Sequence, residues 1–298
     1  MKIVHIGFGK TGTTYLQNFV FPKISKILDI PYIEFNSYYD KKIKKKKIRY
    51  SPLENYSIKK LPKKFFMSSE DLIGIKWQME EMTRAFEINK NFFDKDCTIL
   101  ITIRRPSDIF NSIYIQNIHN FNLVEERSFF INKNNQNLTE DDEKKFNLFN
   151  FSYKTIIDLY KSFYHKVIVI KYEEISNLKF LKKILPKDNQ ILSNSEFTIG
   201  KNKEINKSFS RIGVRIFFFL NNFFNLEKFQ KSVENKIKYN PINLYQRLCN
   251  KLFAQMNIRN KIHSFDKINF LYSKYKINLN NLPVDIFKLD KEYEDTKY

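Results

Sequence analysis

Short apolar runs alternate with longer amphipathic stretches along the first two thirds of the chain. Ile3-Val4-His5-Ile6 is too short for a helix and reads as a buried strand, and a helical pattern runs from Thr13 to Leu28. Ile30–Phe35 predicts a second, short strand, Phe65–Met67 a third, and Trp77–Phe93 a helix with Trp77, Met82, Phe86 and Phe93 as its core contacts. Asp96–Ile103 is the strongest strand, and Pro106 and Asp108, both helix-start residues, open the next helix. A helix over Phe151–Tyr164 and a buried strand over Lys166–Glu174, acidic at its end, complete the series. Strands alternating with helices in this way predict an α/β fold, a mainly parallel sheet covered on both faces. The segment 132–145 lacks apolar periodicity and reads as a mobile loop.

Beyond this series the pattern is helical. Ile212, Ile216, Phe219, Leu220 and Phe223 form a stripe that a helix packed on the sheet explains, with docking to a membrane surface as the alternative. Residues 1–220 are expected to form the α/β domain, and 221–298 a helical C-terminal extension packed on it. No run is long and apolar enough to cross a bilayer, and the first strand begins at once, which leaves no room for a signal peptide, so the expected location is the cytoplasm.

A chain of 298 residues can bury a large core. Its net charge of +20 calls for an anionic partner or merely a basic surface. The lysines are accompanied by many Asn, Ile and Phe residues, a mixture that A/T-rich coding produces without selection, so the charge is not read as a nucleic-acid signal. The run Lys41–Arg49 is a solvated loop on the plain reading. On the sharper reading it is a lip for an anionic acceptor or an acidic lipid surface. Cys97 and Cys249 suggest no disulfide framework, and the four histidines are too scattered for a metal site.

Chemistry concentrates at two junctions. In the first, the opening strand runs into Gly7-Phe8-Gly9-Lys10-Thr11-Gly12-Thr13-Thr14 and then a helix. A glycine-rich turn of this kind gathers free backbone N–H groups, the positive end of a helix dipole and one ammonium, which makes a phosphate cradle. The nucleotide P-loop pattern would require glycine where Val4 stands, so that pattern fails. In the second junction, the strongest strand ends in Arg104-Arg105, and Ser112 follows on the helix eight positions after Arg104. Guanidinium binds phosphate bidentately, and a hydroxyl on the following helix adds a donor.

The two junctions together resemble the sulfotransferases that use 3′-phosphoadenosine 5′-phosphosulfate (PAPS), in their carbohydrate and bacterial branch. Lys10-Thr11-Gly12-Thr13-Thr14 resembles the family's 5′-phosphosulfate loop, and Arg104 with Ser112 its 3′-phosphate segment. The resemblance implies a P-loop-like sulfotransferase fold, PAPS as co-substrate, no metal, and a glycan or other hydroxyl acceptor. It further implies that Gly9, Lys10, Thr11, Gly12, Thr13 and Thr14 hold the 5′-phosphate, that Arg104 and Ser112 hold the 3′-phosphate, and that Lys10 also neutralises charge during transfer. Ser68-Ser69-Glu70 follows a strand, on the sheet edge where ligands bind, and is similar to the family's general-base site. Glu70 is thus the expected base, or else part of a helix cap, and His119 is the second choice. A late basic segment holding Asn206 and Ser208 stands where the family has its nucleotide-closing loop, without the Gly-rich pattern of that loop, and reads otherwise as a basic connector. The strand ending in Tyr172-Glu173 is also family-like, with Glu173 read as architectural. The rival readings are a P-loop-type nucleotide kinase and a basic module binding nucleic acid or anionic glycan.

Overall fold

The computed structural model describes residues 1–34, 61–74, 78–119, 124–134, 145–176, 178–185 and 276–295, with residues 137, 139 and 142 singly. The basic run 41–49, Trp77, the 200–211 segment with Asn206 and Ser208, the stripe from Ile212 and the expected boundary at 220 lie outside the described residues.

Among the described residues, five strands form one parallel sheet. They are β1 (Lys2–His5), β2 (Tyr32–Glu34), β3 (Phe65–Ser68), β4 (Thr98–Ile103) and, later in the chain, Lys166–Lys171. Their order across the sheet is β2, β3, β1, β4 and then Lys166–Lys171, so β1 is central and every described pairing is parallel. After β1 the chain builds the β2–β3 side first and then crosses to the β4 side. A crevice beyond the carboxyl ends of the strands is the consequence of such a switch. The fold is thus α/β with a mainly parallel sheet flanked by helices.

Residue alternation along the strands loads the two faces. Val4, Ile6, Met67, Ile99, Ile101 and Ile103 pack in one cluster, and Ile3, Phe66, Leu100, Ile168 and Ile170 in the other. The first cluster is covered by α3 (Met79–Phe92), by α4 (Pro106–His119) and by a helix at Tyr153–Phe163. Met82, Ala85, Phe86 and Asn89 form the buried stripe of α3. The second cluster is covered by the helical segment after β1, with Leu16, Val20, Phe21 and Ile24 buried.

That helical segment is not the uniform helix its periodicity predicts. It comprises α1 (Thr13–Tyr15), a π-helical stretch over Leu16–Val20, and α2 (Phe21–Ile27). Pro22 lies at the start of α2. It has no N–H to give to the carbonyl four residues back, and its ring crowds that turn, so the backbone widens ahead of it.

After α4 come α5 (Glu126–Phe129), β5 (Phe130–Ile131), β6 (Phe146–Asn147), α6 (Tyr153–Phe163), β7 (Lys166–Lys171), α7 (Tyr172–Ser176) and α8 (Leu181–Ile184). The strand expected to reach Glu174 therefore stops at Lys171. Glu173 and Glu174 fall in the first turn of α7, where acidic side chains favour the helix dipole.

The segment expected to be a mobile loop has a fixed point. Asp142, whose side chain is 1 % exposed, accepts from Lys133 and Lys145 at 2.9 Å each. It also accepts from the backbone and hydroxyl of Thr139 at 3.1 and 3.0 Å. These bonds hold its carboxyl well below the usual carboxylate range. β5 and β6 pair in parallel on either side of this tie.

The last described helix, α9 (Ile286–Asp295), packs against the same body. Its Asp290 accepts from the backbone of Ser107 at the start of α4 at 3.0 Å, and Glu294 pairs with Arg105 at 2.7 Å. Among the described residues no helix is long and apolar enough to cross a membrane.

Candidate functional site at the carboxyl edge of the sheet

The loop after β1 is fixed by its neighbours before any ligand arrives. Pairing with β4 continues past the strand, with Ile6 N–H to Leu100 O at 2.9 Å and Phe8 N–H to Thr102 O at 3.3 Å. Gly7 is required by this approach, since a Cβ there would collide with Thr102 Oγ1. The chain then turns through two left-handed residues, Lys10 at φ 64° and Gly12 at φ 83°. For a lysine that conformation costs roughly 1–2 kcal/mol, held here by the contacts on either side. Gly12 caps the helix with its backbone alone, Leu16 N–H bonding to its carbonyl at 3.1 Å. The first N–H groups of the helix have no intrahelical acceptor and face the loop.

The hydroxyls of the loop divide by role. Thr11 is fully buried and points inward, donating to Phe8 O and meeting Thr102 Oγ1 at 2.7 Å. Only its backbone N–H is therefore available to an anion. Thr13 is 2 % exposed, and its hydroxyl donates to Glu70 Oε1. Thr14 is exposed.

Lys10 lies on the open side of the loop, with Nζ donating to Gln116 Oε1 on α4 at 2.6 Å. Loss of water around it lowers its ammonium pKa, and the negative charge of Glu70 opposes that shift. Gln116 is a neutral amide, so its contact with Lys10 leaves the positive charge in place.

Arg104 directly follows β4 and comes to the same loop. Its Nη1 donates to the carbonyl of Lys10 at 3.2 Å and to Ser112 Oγ at 3.0 Å. The guanidinium lies over the ring of Tyr172, 4.5 Å from its centroid, and Tyr153 OH donates to the Arg104 carbonyl at 2.9 Å. Arg104 Nε is buried and has no hydrogen-bond partner. An unpaired guanidinium N–H in that position is costly unless an acceptor meets it. Arg105 turns away toward α9 and Glu294.

Thus Lys10, Thr13, Glu70, Arg104, Ser112 and Gln116 converge on one edge of the sheet. Glu70 opens a 3₁₀ turn, Glu70–Ile73, one residue after β3. His119 closes α4, and its side chain lies outside what the structure describes. Glu173 accepts from Tyr293 OH of α9 at 2.5 Å, with burial pushing that phenol up, so its partner is a phenol rather than a base.

The site roles of two groups escaped sequence reasoning. Tyr172 forms the floor under Arg104 and abuts Gly12, whose added Cβ would lie 3.3 Å from its ring. His5 is fully buried under the loop, its Nδ1 at 2.8 Å from Ser68 Oγ and its Nε2 at 3.2 Å from Thr102 Oγ1. Burial pushes its imidazole down to about 3, so it is neutral in the fold. The only sequence signal for this role was a histidine inside an otherwise apolar strand.

No protein-family model matches the chain, and no curated protein matches it. Among the described residues no cluster of metal-ligating side chains is present.

Proposed function

We propose that this protein is a PAPS-dependent sulfotransferase that modifies a hydroxyl or amine, with a carbohydrate of a surface glycan as the acceptor class. The observation that carries the reading is the meeting of two anion-binding strand ends. The Arg104 guanidinium reaches both the Lys10 carbonyl, at 3.2 Å, and Ser112, at 3.0 Å, and keeps a buried N–H unpaired. A donor with phosphate at two positions of one ribose suits a site with two separate cation-bearing ends.

In this reading the backbone amides of residues 11–14 and the Thr14 hydroxyl hold the 5′-phosphate. Arg104 and Ser112 hold the 3′-phosphate. When bound, PAPS supplies an activated sulfuryl group whose sulfur bonds to the acceptor oxygen as its bond to the phosphate oxygen breaks. Lys10 stabilises the charge that gathers on the departing phosphate. Glu70, oriented by the Thr13 hydroxyl, takes the acceptor proton, and Gln116 keeps the Lys10 ammonium over the loop. Positioning and electrostatics carry the transfer, as in phosphoryl transfer.

The test is release of 3′,5′-ADP from PAPS in the presence of a chelator, across a panel of sugars and oligosaccharides. Acceptor-dependent release that vanishes in Lys10→Ala supports the reading. Binding of ATP that needs Mg²⁺ would move the assignment to the kinase, and salt-sensitive polyanion binding indifferent to Lys10 would move it to the binding module.

A further inference from the structure

Running up into the loop from beneath it, six groups, four of them on β1, β3, β4 and the helical segment and two on the loop itself, form one line of hydrogen bonds. Gln17 Nε2 meets Ser68 Oγ at 3.1 Å, Ser68 meets His5 Nδ1 at 2.8 Å, and His5 Nε2 meets Thr102 Oγ1 at 3.2 Å. Thr102 then meets Thr11 Oγ1 at 2.7 Å, and Thr11 donates to Phe8 O. His5, Ser68, Thr102 and Thr11 are each buried, and the ring of His5 also packs on Phe21 at 4.8 Å.

Proton counting gives the line a single direction. Thr11 spends its only proton on Phe8 O, so the contact between Thr11 and Thr102 needs the Thr102 proton. Thr102 therefore cannot donate to His5, and Nε2 must carry the hydrogen. A neutral ring with Nε2–H accepts at Nδ1, which takes the Ser68 proton, while Gln17 donates to Ser68. The opposite tautomer would leave the Ser68 hydroxyl proton without an acceptor. It would also invite Thr102 to donate to Nε2, leaving two threonine oxygens 2.7 Å apart with no proton between them.

We propose that His5, as its Nε2–H tautomer, is a positioning residue of the anion-binding loop. It locks the end of β3, which leads into Glu70, to the end of β4, which leads into Arg104, and through Thr102 and Thr11 it sets the turn at Lys10. His5 itself touches no substrate. Gly7 belongs to the same device, since only a residue without Cβ lets Thr102 and His5 pack against the underside of the loop. The inference rests on the sulfotransferase reading only for what the loop binds; the direction of the line and its hold on the loop are properties of the free protein.

The experiment has one arm for each claim. Proton–nitrogen correlation spectra of the histidine rings in the ligand-free chain should show Nε2–H with an acceptor Nδ1 for His5; an Nδ1–H ring overturns the proposal. Thr102→Val removes the middle link and keeps the shape, so the amide signals of residues 10–12 should shift and exchange faster. Binding of 3′,5′-ADP to Thr102→Val should weaken about tenfold, the equivalent of one hydrogen bond, while Thr102→Ser keeps the hydroxyl and should bind as wild type. Loop amides unmoved in a folded Thr102→Val overturn the positioning role. If the wild-type chain itself ignores 3′,5′-ADP, the sulfotransferase reading falls, and the tautomer and the loop amides still decide the role of His5. Should Thr102→Val fail to fold, the wild-type tautomer and the Thr102→Ser amides decide it.

Discussion

Replacing His5 by glutamine removes a titratable group that is buried in its neutral form. In the fold its pKa is pushed down from 6.5 to about 3 by loss of water, while in the unfolded chain it returns to the ordinary value. Between those two values the unfolded state binds the extra proton. The stability this group contributes is therefore fully present above the unfolded pKa and is lost as pH falls toward the folded one. At about 1.4 kcal/mol per pH unit, wild type should lose roughly 3 kcal/mol on this account between neutral pH and about pH 4. His5→Gln cannot take up that proton. Urea unfolding of both proteins at neutral pH, mildly acidic pH and about pH 4 measures the effect, because carboxylate contributions are common to the two and cancel. The gap between wild type and variant should close, or reverse, by roughly 3 kcal/mol on acidification. Parallel curves would mean that His5 is not held neutral, and the proton count along the hydrogen-bond line would fall with it.

Other substitutions test the site piece by piece. Lys10→Ala should abolish transfer in the 3′,5′-ADP release assay while the thermal midpoint stays close to that of wild type; turnover at the wild-type rate would refute its role. Glu70→Gln should bind 3′,5′-ADP with unchanged affinity by calorimetry and slow transfer by about a hundredfold or more, within the usual range for removing a general base. An unchanged rate would return Glu70 to its structural partnership with Thr13. Gly12→Ala puts a side chain at φ 83° and against Ile175 and Tyr172 at 3.2 and 3.3 Å, so it should destabilise the fold by about 1–2 kcal/mol or more in urea unfolding. Stability equal to wild type would show that the turn relaxes out of the left-handed region.

What could be read ahead of the structure was local. The opening strand, its glycine turn and the helix after it are neighbours in sequence, and so are Arg104, just ahead of α4, and Ser112 on it, where the long guanidinium side chain reaches the hydroxyl at 3.0 Å. The placement of Glu70 on the edge used by Lys10 followed from the parallel-sheet rule alone. What was hidden spans the chain. His5 joins Ser68 and Thr102 across 63 and 97 positions, and a single histidine within an apolar run carries no hint of either partner. The turn of Arg105 toward Glu294 and the docking of Asp290 on α4 likewise depend on where the last helix packs. Strand ends were misjudged where two signals competed: Tyr172 continues an apolar run, but the acids after it favour a helix start, and the helix prevailed. Pro22 offered a readable clue to the widened turn before α2, masked by a good apolar stripe on both sides.

Titration of the wild-type chain and Arg104→Ala with 3′,5′-ADP and with 5′-AMP, in chelator and without added metal, addresses the shared phosphate edge most directly. The wild type should bind 3′,5′-ADP at least about tenfold more tightly than 5′-AMP, as charge-assisted bonds to an extra phosphate require, and Arg104→Ala should bind the two alike. Equal affinity of the wild type for both nucleotides, or a preference that survives loss of the guanidinium, would contradict the pairing of Lys10 and Arg104 around one donor.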